Sequence, residues 1–526
     1  MLPRRLVLTL FAFLSVLPRL FHLKVPFERD EGVYAYIADA ISRGKLPYLD
    51  AFDNKSPGIY YLYDLSFKLF GHEVYAPRIL AVLFMLAAVL IIFRLVYRLT
   101  ESFPAGLLAM VFLGLATSSP VYTGFNANTE IFTVPLVLGA LLLLSDDDPA
   151  PRRYLWAGLL FGCALMLKQS VIPIAVFSFA ASILRVIRDG KKLLANTSLY
   201  AMGGALPLAL FTAYFAASHA LNPFLSGLFL FNFGYMSVQS ANLGWPRFLE
   251  AMGNFLQWDT VAWLAGLAGS AAYLALSRDR RRFLVAAAMA GAAASVAMGK
   301  YFTGHYFIFF VPFLALGVGL GTGVLATGTR RRNVVWGGWL LAGFALITQI
   351  PFFGMSSAEI LKQGYGSGLF TQTALVGDYL KRSVRGDRSA YIIGAEPEIL
   401  FYAGLTTPTR FFYPHTLMVP ATFTSAFRRE ALADLERAKP AYLVVVRNPD
   451  AHFPFAEHPE EFYRPLHRLF ARYQLQAVSL MYDEKLYGPA DVAANRELLE
   501  RRDAILVFAR DAANPDQSLQ FQNVER

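Results

Sequence analysis

The chain has 526 residues, of which 56% are hydrophobic and only 16% are charged. This composition excludes an ordinary soluble enzyme and indicates a membrane-embedded protein with more than one domain. The net charge of +10 does not indicate a nucleic-acid partner, because residues 1–353 hold 28 Lys and Arg against 17 Asp and Glu, whereas the remainder holds 20 against 21. The basic excess belongs to the apolar part and reports its topology.

A bilayer core of roughly 30 Å needs about 20 mainly apolar residues per helix. The first apolar run is interpreted as a retained span, because no small-x-small cleavage site follows it. Eleven predicted spans cover residues 6–23, 79–97, 105–119, 131–144, 154–167, 171–186, 199–217, 260–276, 283–298, 306–325 and 334–353. The single cysteine, Cys163, lies inside one of them, so no intramolecular disulfide is possible.

Lys and Arg accumulate in cytoplasmic loops. Their distribution among the connections therefore tests the predicted set of spans. With Arg4 and Arg5 placed in the cytoplasm, every second connection should be basic, and it is. The basic residues are Arg94 with Arg98, Arg152 with Arg153, and those in 185–192, 278–282 and 330–332. The alternation predicts that the polar loop 27–71 and the carboxyl-terminal part both lie outside the cytoplasm.

Loop 27–71 is richer in ionisable residues than any other stretch of similar length in the first half of the chain. Within it, Tyr34, Ile37, Ala38 and Ile41 follow helical spacing, which predicts a short interfacial helix with its apolar side toward lipid. A second short helix is predicted after Pro57, whose fixed φ suits a first helical turn.

The pattern changes at about residue 354 to that of a soluble α/β domain. Segments 389–395, 440–446 and 503–510 are typical of buried strands, and segments 396–404 and 424–438 are typical of helices. We therefore predict a transmembrane catalytic domain over 1–353 and an extracytoplasmic α/β domain of about three layers over 354–526. No glycine-rich phosphate loop follows a strand, so no nucleotide site is predicted.

Asp30 and Glu31 are adjacent carboxylates at the predicted lipid–water boundary, where a partly desolvated acid can serve as a base. The alternative is that both only cap or solvate an interfacial helix. Lys55, in DNKSPG, is placed to bind a phosphate and stabilise its charge on departure. The alternative for Lys55 is an ordinary snorkelling lysine.

Polar residues also interrupt the later connections on the same predicted side. Glu130 in FNANTE indicates a polar cavity, with a structural cap as the alternative. A lone histidine at a span end is more often a hydrogen-bonded anchor than a catalyst. The other candidates for one shared cavity are Asn128, Lys168, Lys300, His305 and Tyr306.

Two further possibilities stay open. Carboxylates with His305 could bind a divalent ion, for which Glu31 and Glu130 are the candidate ligands, although no HxxxH-like spacing occurs. The segment 218–259, with Tyr235, Gln239 and Asn242, could line an acyl or sugar path.

Together these motifs resemble a known family. They are the external Asp-Glu pair, the D-x-K-x-P of residues 53–57, the N-x-x-T-E of residues 126–130, and the late HYF followed by Pro312. The chain resembles, along its whole length, the polyprenyl-phosphate-sugar-dependent GT-C glycosyltransferases. It is most similar to bacterial relatives of the protein O-mannosyltransferases and of the aminoarabinose transferase that modifies lipid A.

The resemblance implies transfer of one sugar from a polyprenyl-phosphate carrier to lipid A, a polysaccharide or a protein, with inversion at the anomeric carbon. By position, Asp30 matches the family's catalytic aspartate and Glu31 its neighbour, and Lys55 matches the lysine that contacts the donor phosphate. Ser56 departs from the family's proline, which predicts a looser turn after Lys55.

The predicted site has three groups of residues, and membrane lipids are further expected partners. The catalytic pair is Asp30 and Glu31. The donor phosphate is assigned to Lys55, Lys168 and Lys300. The substrate cavity is assigned to Glu130, Asn128, His305, Tyr306 and Tyr60. A membrane transporter or a flippase or ligase of a lipid-linked glycan is the alternative, but the ionisable groups gather near one surface rather than at the midplane.

Overall fold

The computed structural model describes residues 3–184, 189–234, 244–419, 421–447, 460–470 and 473–510. Tyr235, Gln239 and Asn242 lie outside these ranges. The α-helices up to residue 353 are Arg4–Val16, Arg29–Ser42, Gly58–Phe70, Tyr75–Thr100, Phe103–Ser118, Thr129–Leu144, Pro151–Leu165, Ile172–Ile183, Gly190–Ala217, Leu221–Leu225, Gly244–Trp258, Thr260–Leu276, Arg282–Ala297, Val311–Leu325 and Arg331–Phe353. The 3-10 helices here are Leu17–His22, Pro120–Tyr122, Gln169–Val171, Gly304–Phe309 and Gly328–Arg330, and Ser226–Phe231 is a π-helix.

Each of the eleven predicted spans overlaps at least one of these helices. Within the described ranges, five helices are long and apolar enough to cross a bilayer, or six if the bent pair Gly244–Trp258 and Thr260–Leu276 is one span. Large apolar side chains such as Leu210, Leu340 and Ile347 are exposed, as expected of surfaces that face lipid. The chain is therefore a multi-pass membrane protein, while the exact count of eleven spans stays a prediction.

The basic connections meet at one end of the helices. The acidic turn 146–148 contacts basic side chains from four of them: Arg98, Arg153, Lys192 and Arg281. This turn follows the carboxyl end of helix Thr129–Leu144, whereas Glu130 lies in the first turn of the same helix. The alternating basic connections thus share one end, and Glu130 lies at the other.

The helix Arg29–Ser42 begins where the Glu28 carboxylate accepts hydrogen bonds from the backbone N–H groups of Asp30 and Glu31, both at 3.0 Å. The predicted exposure of its apolar side to lipid is wrong, because residues 33–38 are buried in protein. The carboxyl-terminal part covers them: the Thr407 N–H donates to the Tyr36 hydroxyl at 3.2 Å, and the Tyr36 ring packs on Phe412.

The carboxyl-terminal part contains a five-stranded sheet. Its strands are β1 (Ala390–Ile393), β2 (Tyr442–Val446), β3 (Tyr473–Leu480), β4 (Leu486–Tyr487) and β5 (Ala504–Arg510), in the order β1-β2-β5-β3-β4. Strands β1 and β2 are parallel, and the other pairs are antiparallel. Helices here are Ser357–Tyr365, Leu369–Ser383, Glu398–Ala403, His415–Met418, Thr424–Ala438, Glu460–Phe470 and Pro489–Ala494, with a 3-10 helix at Arg496–Leu499.

The two faces of this sheet pack into different cores, as the alternation of side chains along a strand requires. Ile392 and Val444 join the core that continues into the membrane helices, whereas Tyr391 and Leu443 join a separate core. The strands predicted at 389–395, 440–446 and 503–510 and the helices predicted at 396–404 and 424–438 are confirmed. Strands β3 and β4 were not predicted. The domain boundary at residue 353 stays a prediction.

A buried ion pair connects the first loop to the membrane helices. The Arg78 guanidinium donates from Nε to Glu31 Oε1 at 3.1 Å and from Nη2 to Glu31 Oε2 at 2.6 Å. Glu31 Oε1 also accepts from the Ala127 N–H at 2.9 Å. Both charged side chains are almost completely inaccessible to water. Glu31 therefore links three parts of the chain.

We predict that Glu31→Ala destabilises the protein by about 3–5 kcal/mol, because it leaves the buried Arg78 charge unpaired. Thermal unfolding of the detergent-purified protein measures this change. The control is Lys45→Ala, which removes an exposed partner 3.5 Å from Asp50 and should cost less than about 1 kcal/mol. Equal melting temperatures for the two variants would contradict the structural role of Glu31.

Candidate active site

The predicted site residues lie where helices begin. Asp30 and Glu130 are in the first turns of their α-helices, and His305 is in the first turn of the 3-10 helix Gly304–Phe309. Lys55 and Lys168 come just before helices that begin at Gly58 and Gln169. Because the backbone N–H groups at a helix start attract negative charge, this convergence favours binding of an anion.

Asp30 is paired with two cationic or basic side chains. Its Oδ1 lies 3.1 Å from Lys55 Nζ, and its Oδ2 lies 4.0 Å from His305 Nε2. The Asp30 side chain keeps 25% of its accessible surface and that of Lys55 keeps 18%. The pair is therefore shielded by protein but open enough for a substrate to reach it.

A second ion pair lies beside the first. Lys168 Nζ is 2.7 Å from Glu130 Oε1 and 4.5 Å from the centre of the Tyr306 ring. The Tyr306 ring in turn packs edge-on against His305 at 4.7 Å. The charges of both ion pairs act on the His305 ring. The structure thus brings Asp30, Lys55, Glu130, Lys168, His305 and Tyr306 into one cluster.

The segments that carry the two lysines are joined directly. The Ser56 hydroxyl donates to the Leu165 carbonyl at 2.8 Å, and the Gly58 N–H donates to the Met166 carbonyl at the same distance. A Cβ at Gly58 would lie 2.6 Å from the Met166 oxygen, so this close approach needs glycine. The looser turn expected from Ser56 is wrong, because its hydroxyl fixes the turn to the neighbouring segment.

The charges of the cluster reinforce one another. Burial favours the neutral form of Asp30, but Lys55, His305 and Lys168 outweigh it and hold the pKa of Asp30 below its ordinary value. Burial opposes the charge on Lys55, and Asp30 and Asp53 overcome it and raise the pKa of Lys55. The Glu130 carboxylate likewise outweighs burial and raises the pKa of Lys168. Asp30 is therefore a carboxylate, and both lysines are ammonium groups.

The other predicted residues have different surroundings. Glu31 faces Arg78, away from the cluster contacts. Asn128 is buried beside Glu130, and no hydrogen-bond partner for its side-chain amide is found among the described residues. Tyr60 is buried and donates to Asp53 Oδ2 at 2.8 Å. Lys300 is exposed and lies next to Gly244.

The carboxyl-terminal part supplies residues that the sequence analysis missed. The Tyr413 hydroxyl donates to Asp53 Oδ1 at 2.9 Å, and His415 stacks on the Tyr413 ring. Burial and then the charges of Lys55 and Arg29 lower the pKa of His415 to about 3, so this imidazole is neutral near the site. No local pattern marks these residues, since Tyr413 lies 360 positions from Asp53.

The possible metal ligands do not form one site. Glu31 is paired with Arg78 and Glu130 with Lys168, so these carboxylates already have cationic partners. In the part of the chain that the structure describes, no group of three His, Cys, Asp or Glu side chains is arranged to hold a metal ion. We therefore derive no step through a metal.

Comparison with known proteins gives a family segment and a fold. Residues 54–215, which include Lys55, Glu130 and Lys168, match the family of dolichyl-phosphate-mannose-protein mannosyltransferases. A comparison with curated protein sequences found no match.

Solved structures with a similar fold include ArnT from Cupriavidus metallidurans bound to undecaprenyl phosphate, with a TM-score of 0.56 and 14% identity over 85% of this chain and 92% of ArnT. The apo state of ArnT gives 0.53 and 15%, over 84% and 93%. A variant of the arabinofuranosyltransferase AftD from Mycobacteria gives 0.50 and 14%, over 98% of this chain and 42% of AftD. The family segment and the shared fold confirm the resemblance predicted from the sequence: the chain has the fold of these transferases, and residues 54–215 match the mannosyltransferase family.

Proposed function

We propose that this protein is a glycosyltransferase that moves a single sugar from a polyprenyl-phosphate carrier to an acceptor on the external face of the cytoplasmic membrane. The observation that carries the proposal is the Asp30–Lys55 pair, in which a carboxylate and an ammonium lie 3.1 Å apart where helices begin. A carboxylate for the proton and a cation for the phosphate are the two groups that such a transfer needs.

In the proposed reaction, an acceptor hydroxyl or amine attacks the anomeric carbon while the bond from that carbon to the phosphate oxygen breaks. The attack comes from the face opposite the phosphate, which inverts the anomeric centre. Asp30 takes the acceptor proton. Lys55 binds the departing phosphate, and Lys168, held by Glu130 at 2.7 Å, supplies a second positive charge.

The charges of the Asp30–Lys55 pair support a sequence in which the donor phosphate binds Lys55 before Asp30 accepts the acceptor proton. While Lys55 pairs with Asp30, the carboxylate is a weak base, because its pKa is held below the ordinary range. A bound phosphate shares the Lys55 charge and so raises the pKa of Asp30. Asp30 therefore becomes a stronger base once the donor is bound. This favours removal of the acceptor proton during transfer over proton exchange with water in the absence of the donor.

Other residues have proposed roles in binding. The buried amide of Asn128, adjacent to the Glu130 helix, suits hydrogen bonds to sugar hydroxyls. His305 and Tyr306 form the wall between the two ion pairs, and Tyr60 supports the Lys55 segment through Asp53. The assignment of Lys300 as a third ligand of the phosphate stays a prediction. The acceptor is proposed to be lipid A, a polysaccharide or a protein.

Transport or flipping of a lipid-linked glycan is less well supported. The ion pairs of the cluster lie at helix starts near one end of the helices, opposite the acidic turn 146–148. A transporter is expected to hold its charged groups near the midplane, where both sides gain access. Sugar transfer to an acceptor without net movement of the donor across the bilayer distinguishes the two functions.

We predict that Asp30→Asn lowers sugar transfer by at least about 100-fold, the range in which a general base contributes. Mass spectrometry of envelope glycolipids and glycoproteins from cells with either form identifies the missing sugar and its acceptor. The control is Asp50→Asn in the same loop. Its partly exposed carboxylate lies 3.5 Å from Lys45 and accepts from the Leu46 N–H at 2.8 Å, so activity should be retained. Full activity of a folded Asp30→Asn protein would refute the base assignment.

We predict that Lys55→Met shifts the acidic limb of the pH–rate profile to higher pH. Lys55 lowers the pKa of Asp30, so its removal raises that pKa, and the base is protonated, and activity lost, at a higher pH as the solution is acidified. The profile is measured at saturating donor, so that weaker donor binding does not obscure the shift. Lys45→Met, an exposed lysine of the same loop, should leave the profile unchanged. An acidic limb at the wild-type pH would contradict the pairing.

The external location of the site is tested by reporter fusions. We predict that alkaline phosphatase fused after Gly354 is active, because the positive-inside rule places the acidic turn and its basic partners in the cytoplasm. A fusion within the turn 146–148 should be inactive. The opposite pattern would invert the proposed topology.

A further inference from the structure

Asp53 is held between two tyrosines that come from distant parts of the chain. Tyr60 donates to its Oδ2 at 2.8 Å, and Tyr413 donates to its Oδ1 at 2.9 Å. Asp53 has no accessible surface. A buried carboxylate needs such donors, because an unsatisfied charged group is costly to keep away from water.

The segment that precedes Tyr413 pairs with the residues that precede Asp53. The Phe52 N–H donates to the Arg410 carbonyl at 2.8 Å. The Arg410 guanidinium lies 5.3 Å from the centre of the Phe52 ring and is fixed by two hydrogen bonds to Glu430. The carboxyl-terminal part is thus joined to the first loop by backbone, ring and hydroxyl contacts side by side.

The tyrosine contacts around Asp53 extend to the backbone of Lys55. Its carbonyl accepts from the Tyr48 hydroxyl at 2.7 Å and lies 3.4 Å from the Tyr60 hydroxyl. Asp53 is only two residues earlier, and Tyr60, which donates to the Asp53 carboxylate, also lies beside the Lys55 carbonyl. The hydrogen bonds of Asp53 and the backbone of Lys55 are therefore parts of one contiguous set of contacts.

We propose that Tyr413 is a positioning residue for the donor phosphate: through Asp53 it holds Lys55 in place, so that the carboxyl-terminal part completes the donor site. This inference rests on the proposed function, in which Lys55 binds the phosphate of the carrier. Tyr413 acts through Asp53 and the Lys55 backbone, without contact to the phosphate. The carboxyl-terminal part is then required for donor binding, beyond any role in acceptor choice.

The test measures the affinity of the full-length protein in lipid nanodiscs for undecaprenyl phosphate. Tyr413→Phe should weaken binding about tenfold, roughly the effect of losing one hydrogen bond to a charged group. The control is Tyr391→Phe, which removes a buried hydroxyl from β1 that has no hydrogen-bond partner among the described residues. That variant should bind as the wild type does.

Two further variants separate positioning from general loss of structure. Asp53→Asn should weaken binding to a similar extent, because the amide can no longer accept both hydroxyls as a carboxylate does. If Tyr413 acts through Lys55, then Tyr413→Phe combined with Lys55→Met should bind no more weakly than Lys55→Met alone. Additive losses in the double variant would overturn the inference, and melting temperatures verify that each protein is folded.

The outcomes distinguish the inference from the proposed function. Failure of the wild-type protein to bind undecaprenyl phosphate would refute the proposed donor class. Binding by the wild type with equal affinities for Tyr413→Phe and Tyr391→Phe would overturn only the positioning role. A tenfold loss restricted to Tyr413→Phe and Asp53→Asn would support it.

Discussion

The buried ion pair between Glu31 and Arg78 is the interaction on which the site depends. Glu31 also binds the Ala127 N–H, three residues before Glu130. One carboxylate therefore fixes the helix that carries Asp30 to a membrane helix and to the start of the helix that carries Glu130. Removing two ions from water costs several kcal/mol per ion, and the bidentate contact with extra backbone partners offsets that cost. The two ion pairs of the cluster are thus positioned by a third pair that lies outside it.

Convergence of helix starts supports the proposed binding of a lipid-borne phosphate by the cluster. Asp30, Lys55, Glu130, Lys168 and His305 each lie in or just before a first helical turn. There the backbone dipoles of the helix starts and the charges of the lysines contribute to the same positive field. Without substrate, the Asp30 and Glu130 carboxylates neutralise the two lysines, so the site avoids an unpaired charge. A phosphate can replace a carboxylate as partner because Asp30 and Lys55 retain access to water.

The sequence predicted the parts of this structure that local pattern determines. Apolar runs located the helices, and the common side of the polar connections brought Lys168 and His305 to Asp30, although they are far apart in the chain. It did not predict the partner of Glu31, because Arg78 borders an apolar run and resembles a flanking charge. Strand β3 was missed although Tyr473, Leu475 and Ala477 alternate with polar residues. The burial of helix Arg29–Ser42 and the position of Tyr413 depend on tertiary packing, which no local period encodes.

The first loop contains two aspartates whose different partners give them different tasks. Asp53 is sealed from water and accepts from neutral tyrosine hydroxyls, so its contacts do not change when a charged substrate arrives. Asp30 keeps a quarter of its side-chain surface and pairs with Lys55 and His305, which a phosphate can draw away. Lys55 lies two residues after Asp53, and its carbonyl accepts from the Tyr48 hydroxyl at 2.7 Å while its ammonium lies 3.1 Å from Asp30. In the proposed reaction, the backbone of Lys55 thus stays in place while its ammonium exchanges Asp30 for the phosphate. This separation lets the lysine change partners without moving its segment.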